Sequence, residues 1–229
     1  TIGIVASAYN LALAAVSFFG GSLSARFGGK LVFILSLLFS LFTTISYGTA
    51  AVLASWALVA LGLLFGRVAW GLRDTSSFSI VSSSTEQTKR ATAFGLLSTL
   101  YYFGAIIGPL LGGLLAFYFG RNFLFFLSIP ITATAIVLIF LRIKKGEVTT
   151  KRVFPSWNEV KEASTLEKSV LLLIVLGFFA QFFAEFGNPY FFVFMKEELG
   201  SPDYLLPLPQ TAISVSSLLV GLPAGRLSD

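Results

Sequence analysis

The chain contains 229 residues, of which 55% are hydrophobic and only 12% are charged. This composition excludes an ordinary soluble domain, because one core cannot bury so much apolar surface. Cysteine and histidine are both absent, which excludes disulfide bonds, thiolate metal sites and the commonest metal ligand, so we expect neither a metal nor another cofactor.

Seven apolar runs of about 20 residues follow one another along the chain. Each is long enough to cross a hydrocarbon core roughly 30 Å thick, so the sequence predicts seven transmembrane helices. Their predicted bounds are 1–20, 31–53, 55–80, 91–118, 122–142, 168–195 and 204–223. The expected fold class is an all-α, multi-pass integral membrane bundle, and its first partner is the lipid bilayer.

Basic residues are concentrated at one end of these helices. Most of the 16 lysines and arginines fall in or beside the segments 21–30, 81–90 and 143–167. The positive-inside rule therefore predicts that these three loops are cytoplasmic. We expect the membrane to be the plasma membrane. Because this sidedness explains the formal net charge of +5, the sequence requires no nucleic-acid partner.

The first predicted helix has one weakly polar face, made of side chains at three- and four-residue spacing. Its members are Ser7, Asn10, Ala14 and Ser17. This pattern is typical either of a cavity wall, with Asn10 as the candidate binding residue, or of small residues packed against a neighbouring helix.

A basic, glycine-rich stretch at 20–30 follows, and we expect it to form a turn before the second helix. Part of it recurs 204 residues later, where Gly225 matches Gly21 and Asp229 falls opposite Ala25. This repeat predicts a membrane protein built from two similar halves.

The third predicted helix carries charges at membrane depth. Arg67 lies near its middle, and Trp70, Gly71 and Asp74 follow on roughly the same face. A charge there costs on the order of 3 kcal/mol, so Arg67 is expected to face water or a partner. Asp74 lies about 10 Å farther along the axis, too far for a direct pair with Arg67. Both are candidates for substrate or proton binding, and the alternative is that they join neighbouring helices.

Glycines at four-residue intervals mark the fourth predicted helix. They are Gly104, Gly108 and Gly112. They would form a groove that admits another backbone, and Pro109 beside them would interrupt the hydrogen bonds of the helix, so we expect a kinked and tightly packed element. Of the two preceding tyrosines, Tyr101 and Tyr102, one is a candidate to place its hydroxyl group in a cavity.

The segment 143–167 is the only sizeable polar stretch and is expected to be a linker. Ser156 and Glu159 have the spacing of a capping box, which predicts a short surface helix with Trp157 at the membrane interface.

The sixth predicted helix contains a polar stripe formed by Gln181, Glu185 and Asn188 at helical spacing. Desolvation favours the protonated form of a carboxyl group, so Glu185 is a candidate to bind and release a proton or to bind substrate. A structural ion pair across the bundle and a position at the helix end are the alternatives.

Three of these patterns, in chain order, resemble motifs of the major facilitator superfamily of secondary transporters. Segment 21–30 is similar to the family's inner-loop motif, 67–71 to its fourth-helix motif, and 104–113 to the fifth-helix motif associated with antiporters. The residues that the resemblance assigns to conformational change are Gly21, Leu23, Arg26, Gly28, Lys30, Gly71, Gly104, Gly108, Pro109, Gly112, Gly113, Gly225 and Asp229. Ala25 departs from the pattern, because the family usually has an aspartate there that helps to hold the halves together.

The resemblance implies two six-helix bundles around a central cavity, of which this fragment would cover the second to the eighth helix. Residues 1–142 would be the N-terminal half without its first helix, 143–167 the cytoplasmic linker, and 168–229 the start of the C-terminal half. It also implies a secondary active transporter that moves a small organic solute by alternating access, most simply by proton-coupled efflux, and we expect a monomer.

Two other functions stay open. A facilitator or importer would use Arg67 and the polar stripe to bind solute without a proton, and a membrane receptor would use the same scaffold without transport. An enzyme is not expected, because the sequence contains neither a nucleophile elbow nor a phosphate-binding Gly-Lys-Ser/Thr loop.

Overall fold

The computed structural model describes residues 2–143, 172, 175–176, 179, 191, 193–201 and 208–228. Six long α-helices make up most of these residues, and no strand occurs among them. A 3-10 turn, Gln87–Lys89, precedes the fourth helix. The helices are α1 (Ile2–Phe27), α2 (Gly29–Leu53), α3 (Trp56–Ser84), α4 (Arg90–Phe119), α5 (Arg121–Arg142) and α6 (Leu208–Ser228).

Five helical stretches of the described chain are long and apolar enough to cross a membrane. They are Ser7–Phe27, Gly29–Leu53, Trp56–Ser84, Gln87–Phe119 and Asn122–Arg142. Together with the absence of strands in the described residues, they confirm the predicted all-α membrane bundle. The seventh predicted helix corresponds to α6, whereas the sixth, at 168–195, falls almost entirely outside the described residues.

The outer surface of the bundle carries large apolar side chains. Phe117 is 78% exposed and Phe140 is 65% exposed, although both belong to helices of membrane length. Such side chains are stable on the outside only where the surrounding solvent is itself apolar, so this surface fits contact with lipid acyl chains.

The predicted glycine-rich turn at 20–30 is wrong in its extent. α1 continues to Phe27 and α2 begins at Gly29, so Gly28, with a φ of 82°, is the one non-helical residue between them. Gly20 and Gly21 are helical. A Cβ atom at Gly20 would lie 2.5 Å from Oγ1 of Thr75 on α3, so Gly20 serves helix packing rather than chain reversal.

Small side chains build the core around α2 and α3, which share the most extensive contact in the described part of the chain. Ser36 and Ser76 are both 0% exposed. Their hydroxyl groups donate to carbonyls of their own helices, Ser36 to Phe33 at 2.7 Å and Ser76 to Leu72 at 2.5 Å. Because these bonds satisfy the hydroxyl groups, the serines pack as small residues at no cost in unpaired polar atoms.

The remaining contacts define which helices belong together. α1 packs on α3, α2 packs on α5 as well as on α3, and α4 packs on α6 and α5. α3 and α4 touch one another only slightly. This separation leaves room for a cavity between them.

The predicted close packing along the glycine groove of α4 is not found among the described residues. α4 is one continuous helix that contains Pro109. A Cβ atom built on Gly104, Gly108, Gly112 or Gly113 would meet no described atom within 4 Å. No described residue of α5 or α6 therefore packs into the groove.

Candidate functional site

Arg67 packs against α1 through the ring of Tyr9. The Cζ atom of its guanidinium group lies 3.5 Å from the centroid of that ring, and both side chains are half-buried. The Nε atom of Arg67 is buried and has no hydrogen-bond partner among the residues that the structure describes. Arg67 thus faces a neighbouring helix, as its cost in lipid predicts, and an aromatic face rather than a carboxylate receives its charge.

This contact is the first of three that run along one line between α1 and α3, which we term the α1–α3 seam. One helical turn after Arg67, a Cβ atom at Gly71 would lie 3.0 Å from Val16 of α1. One turn farther along α3, Thr75 contacts the position that a Cβ atom at Gly20 of α1 would occupy. Arg67, Gly71 and Thr75 are spaced by four residues and so share one face of α3. The fourth-helix motif is therefore placed at a helix interface, where its glycine permits close approach.

A cavity of about 560 Å³ opens on another side of α3, between α3 and α4. We term it the α3–α4 cavity. Aromatic rings make up much of its wall, together with one carboxylate and one guanidinium group. The lining residues are Phe33, Trp70, Arg73, Asp74, Ser77, Phe78, Leu97, Ser98, Leu100, Tyr101 and Tyr102.

Asp74 is held within this wall by Trp70. The indole Nε1 atom of Trp70 donates a 3.0 Å hydrogen bond to Oδ2 of Asp74, one helical turn away. The Cζ atom of Arg73 lies 5.2 Å from the centroid of the same indole, and Tyr101 meets it edge to face at 5.9 Å. One indole therefore links the acid, the base and α4. Arg67 and Asp74 form no direct pair, as their separation predicts.

The other predicted site residues are distributed unevenly. Tyr102 lines the α3–α4 cavity beside Tyr101, with 5.7 Å between the ring centroids. Asn10 is half-buried next to Tyr9, outside the cavity wall. The polar stripe of Gln181, Glu185 and Asn188 lies outside the described residues.

The small-residue interpretation of the first helix applies to part of its face. The Oγ atom of Ser17 lies 3.3 Å from the Cβ position of Gly71. Ser7, Ala14 and Ser17 are all exposed in the described structure, so only the Ser17 hydroxyl takes part in this packing. Tyr9, which the sequence interpretation missed, makes the contact with Arg67. A usable signal was present, since Tyr9 is the only aromatic residue among the first 17.

The residues of the inner-loop motif have separate roles. Gly28 provides the turn and Gly21 has no described atom within 4 Å of its Cβ position. Arg26 is exposed, with its Cζ atom 5.5 Å from the ring centroid of Phe27. Lys30 donates a 2.7 Å hydrogen bond to the carbonyl of Phe140 on α5. In the second copy of the motif, Gly225 lies in α6 and Asp229 lies outside the described residues.

Comparisons with known proteins agree with this architecture. The sequence model of the Major Facilitator Superfamily matches residues 1–229. The multi-drug resistance efflux pump PmrA homolog of Lactococcus lactis subsp. lactis (strain IL1403) is 28% identical over 232 residues, which is 99% of this chain and 56% of that protein. The multidrug resistance protein MdtG of Escherichia fergusonii is 27% identical over 231 residues, again 99% of this chain and 56% of that protein.

A further relative aligns over a shorter stretch. The methylenomycin A resistance protein of Bacillus subtilis (strain 168) is 31% identical over 150 residues, which is 65% of this chain and 32% of that protein. The chain spans only about half the length of the two relatives that match it throughout. Because the family match covers every residue, this chain belongs to the Major Facilitator Superfamily.

Proposed function

We propose that the protein is a secondary active transporter that moves a small organic solute across the plasma membrane by alternating access, and that it exports the solute in exchange for protons. Family membership supports the transport class. Relatives named as an efflux pump and as resistance proteins support export. The structural observation that carries the proposal is the α3–α4 cavity, a space of about 560 Å³ beside a membrane-spanning helix.

The chemistry of this cavity suits an organic solute. Its volume falls within the range of roughly 300–1,000 Å³ that is common for small-molecule sites. The rings of Trp70, Tyr101 and Tyr102 offer flat apolar faces, and Asp74 and Arg73 add one charge of each sign. Aromatic walls with both charges fit a solute that has a flat apolar body and at least one polar or charged group.

Proton coupling requires a carboxyl group that changes its protonation state during the cycle. Asp74 is the carboxylate of the α3–α4 cavity, and Glu185 is the second candidate, in the sixth predicted helix. We further propose that segments 21–30, 81–90 and 143–167 are cytoplasmic, because the basic residues cluster there. A monomer is sufficient for this mechanism.

Flux measurements on the full-length protein in liposomes test the proposal. Ethidium serves as a cationic probe and carboxyfluorescein as an anionic one, each followed under an imposed pH gradient. Proton antiport predicts that gradient-driven flux is lost in Glu185→Gln or in Asp74→Asn. The matched control is Glu86→Gln, since Glu86 is exposed and pairs with Lys89 at 2.8 Å. Undiminished gradient-driven flux in both site variants would exclude proton antiport through these groups.

A facilitator that uses no proton is the second candidate. The hydrogen bond from Trp70 to Asp74 favours it, because this bond fixes the carboxylate as part of the cavity wall. Flux of the same probes that follows their own gradients and does not respond to the pH gradient would identify a facilitator.

A further inference from the structure

Tyr9 and Arg67 form the closest stacking of a cation on an aromatic ring in the described part of the chain. The distance of 3.5 Å from Cζ to the ring centroid is that of direct stacking, and attraction between a cation and a ring extends to about 6 Å. The next closest is Arg73 on Trp70, at 5.2 Å. Tyr9 and Arg67 are on different helices, so the stacking depends on how α1 packs on α3.

The two glycine contacts of the α1–α3 seam determine how closely α1 packs on α3. Gly71 and Gly20 have no side chain, and this lets Val16 and Thr75 approach closely across the interface. α1 and α3 are therefore held at short range one turn below Arg67. The Arg67 side chain is half-buried there, and the Tyr9 ring lies directly against its guanidinium group.

Stacking leaves the hydrogen-bonding groups of the guanidinium unused. A guanidinium group has five N–H donors in a rigid planar fork, and an aromatic face accepts none of them as a conventional hydrogen bond. Among the described residues, no hydrogen bond or ion pair engages Arg67, and its Nε atom is buried without a partner. The ring thus holds the charge in place while the donors stay available.

We propose that Tyr9 is a positioning residue for Arg67, which keeps the guanidinium plane in one orientation so that its donors are presented ready for a partner during transport. The aromatic face performs this role, and the phenol hydroxyl is not required. The transport readout rests on the proposed function, whereas the orientation of Arg67 can be measured without it.

Chemical modification of arginine in the full-length protein tests whether the Tyr9 ring holds Arg67 in the stacked position. Phenylglyoxal must add to both terminal nitrogens of a guanidinium group, and it approaches them perpendicular to the guanidinium plane. A stacked ring covers one face of that plane while leaving the in-plane donors free, so a stacked arginine reacts more slowly than a free one. Mass spectrometry gives the rate at each arginine separately. Tyr9→Leu should raise the rate at Arg67 roughly fivefold, which corresponds to about 1 kcal/mol of cation–π stabilisation. Tyr9→Phe should leave the rate at the wild-type value.

The Arg73–Trp70 pair provides the matched control. Tyr9→Leu should not change the rate at Arg73, whereas Trp70→Leu should raise it and leave Arg67 unaffected. Equal rates at Arg67 in Tyr9→Leu and the wild-type protein would overturn the proposal, as would an equal rise at both arginines, which indicates general loosening. If Tyr9→Leu does not fold, Tyr9→Met removes the ring with a side chain of similar reach and decides the same question.

Ethidium flux supplies the second readout. If Tyr9 acts through Arg67, the loss of transport in Tyr9→Leu and in Arg67→Gln should not add when the two are combined, and Tyr9→Phe should restore flux. Additive losses would overturn the proposal. Should the wild-type protein transport no probe at all, the proposed function fails, and the modification rates still decide whether Tyr9 positions Arg67.

Discussion

The Nζ atom of Lys30 donates a 2.7 Å hydrogen bond to the main-chain carbonyl of Phe140 and lies 5.3 Å from the centroid of the Phe140 ring. Lys30 is in the first turn of α2, and Phe140 is in the last turn of α5. The last carbonyls of a helix have no partner within it and carry partial negative charge. Lys30 therefore satisfies one of these carbonyls and joins two helix ends that are 110 residues apart in sequence.

Replacement of this lysine should weaken the bundle by a modest amount. We expect Lys30→Met to lower the free energy of unfolding by about 1 kcal/mol, because it removes a charged donor from a helix C-terminus. Thermal unfolding of the full-length protein in detergent measures the change. Lys30→Arg retains a cationic donor and should lose less. An unchanged midpoint in Lys30→Met would show that the hydrogen bond contributes nothing to stability.

Two adjacent glycines of α1 should respond in opposite ways to alanine. Gly20→Ala places a methyl group 2.5 Å from Oγ1 of Thr75, so one helix must shift, and we expect a loss of about 1–3 kcal/mol. Gly21→Ala meets no described atom within 4 Å and should gain up to about 1 kcal/mol from helix propensity. The two variants need only be compared in one unfolding assay. Equal stability would contradict the close approach of α1 and α3.

Trp70 should report on the state of Asp74 through its fluorescence. The other two tryptophans, at positions 56 and 157, are replaced by phenylalanine, so that only the indole of Trp70 emits. Asp74→Leu removes the acceptor of the indole N–H, and we expect the emission maximum to move to shorter wavelength. Asp74→Asn keeps an acceptor oxygen and should retain the original maximum. Identical spectra in all three proteins would argue against the Trp70–Asp74 hydrogen bond.

Ala25→Asp should move the resting population away from the state that is open on the side of segment 21–30. The resemblance assigns a stabilising carboxylate to this position, in the last turn of α1. A carboxylate near a helix C-terminus costs about 0.3–1 kcal/mol unless a partner compensates it. Because the chain contains no cysteine, Ser98→Cys in the cavity wall gives one labelling site for an impermeant thiol reagent.

The labelling rate from that side should fall in Ala25→Asp. Ala25→Asn has nearly the same shape without the charge and serves as the control. Equal labelling rates with Ala25, Ala25→Asp and Ala25→Asn would refute the prediction that a carboxylate at position 25 shifts the resting population.

The positions of the five described membrane spans could be predicted from the sequence because they depend on local properties. Run length and hydropathy decide whether a segment can span a membrane, and both are visible without knowledge of the neighbours. The contact between Trp70 and Asp74 was foreseeable for the same reason, since residues four apart share a helical face.

Contacts between helices could not be predicted in this way. Gly20 and Gly28 look alike in the sequence, yet one receives Thr75 against its backbone and the other forms the turn with positive φ. Only the packing of α1 on α3 separates the two roles. Tyr9 was missed for the same reason, because its partner Arg67 lies on another helix, 58 positions away.

The one-residue connection at Gly28 has a mechanical consequence. α1 and α2, of 26 and 25 residues, are joined by this single residue. A large rotation or translation of α1 must therefore also move the first turn of α2. Lys30 lies in that turn and donates its hydrogen bond to the end of α5. A displacement of α1 is thereby transmitted to the C-terminal end of α5.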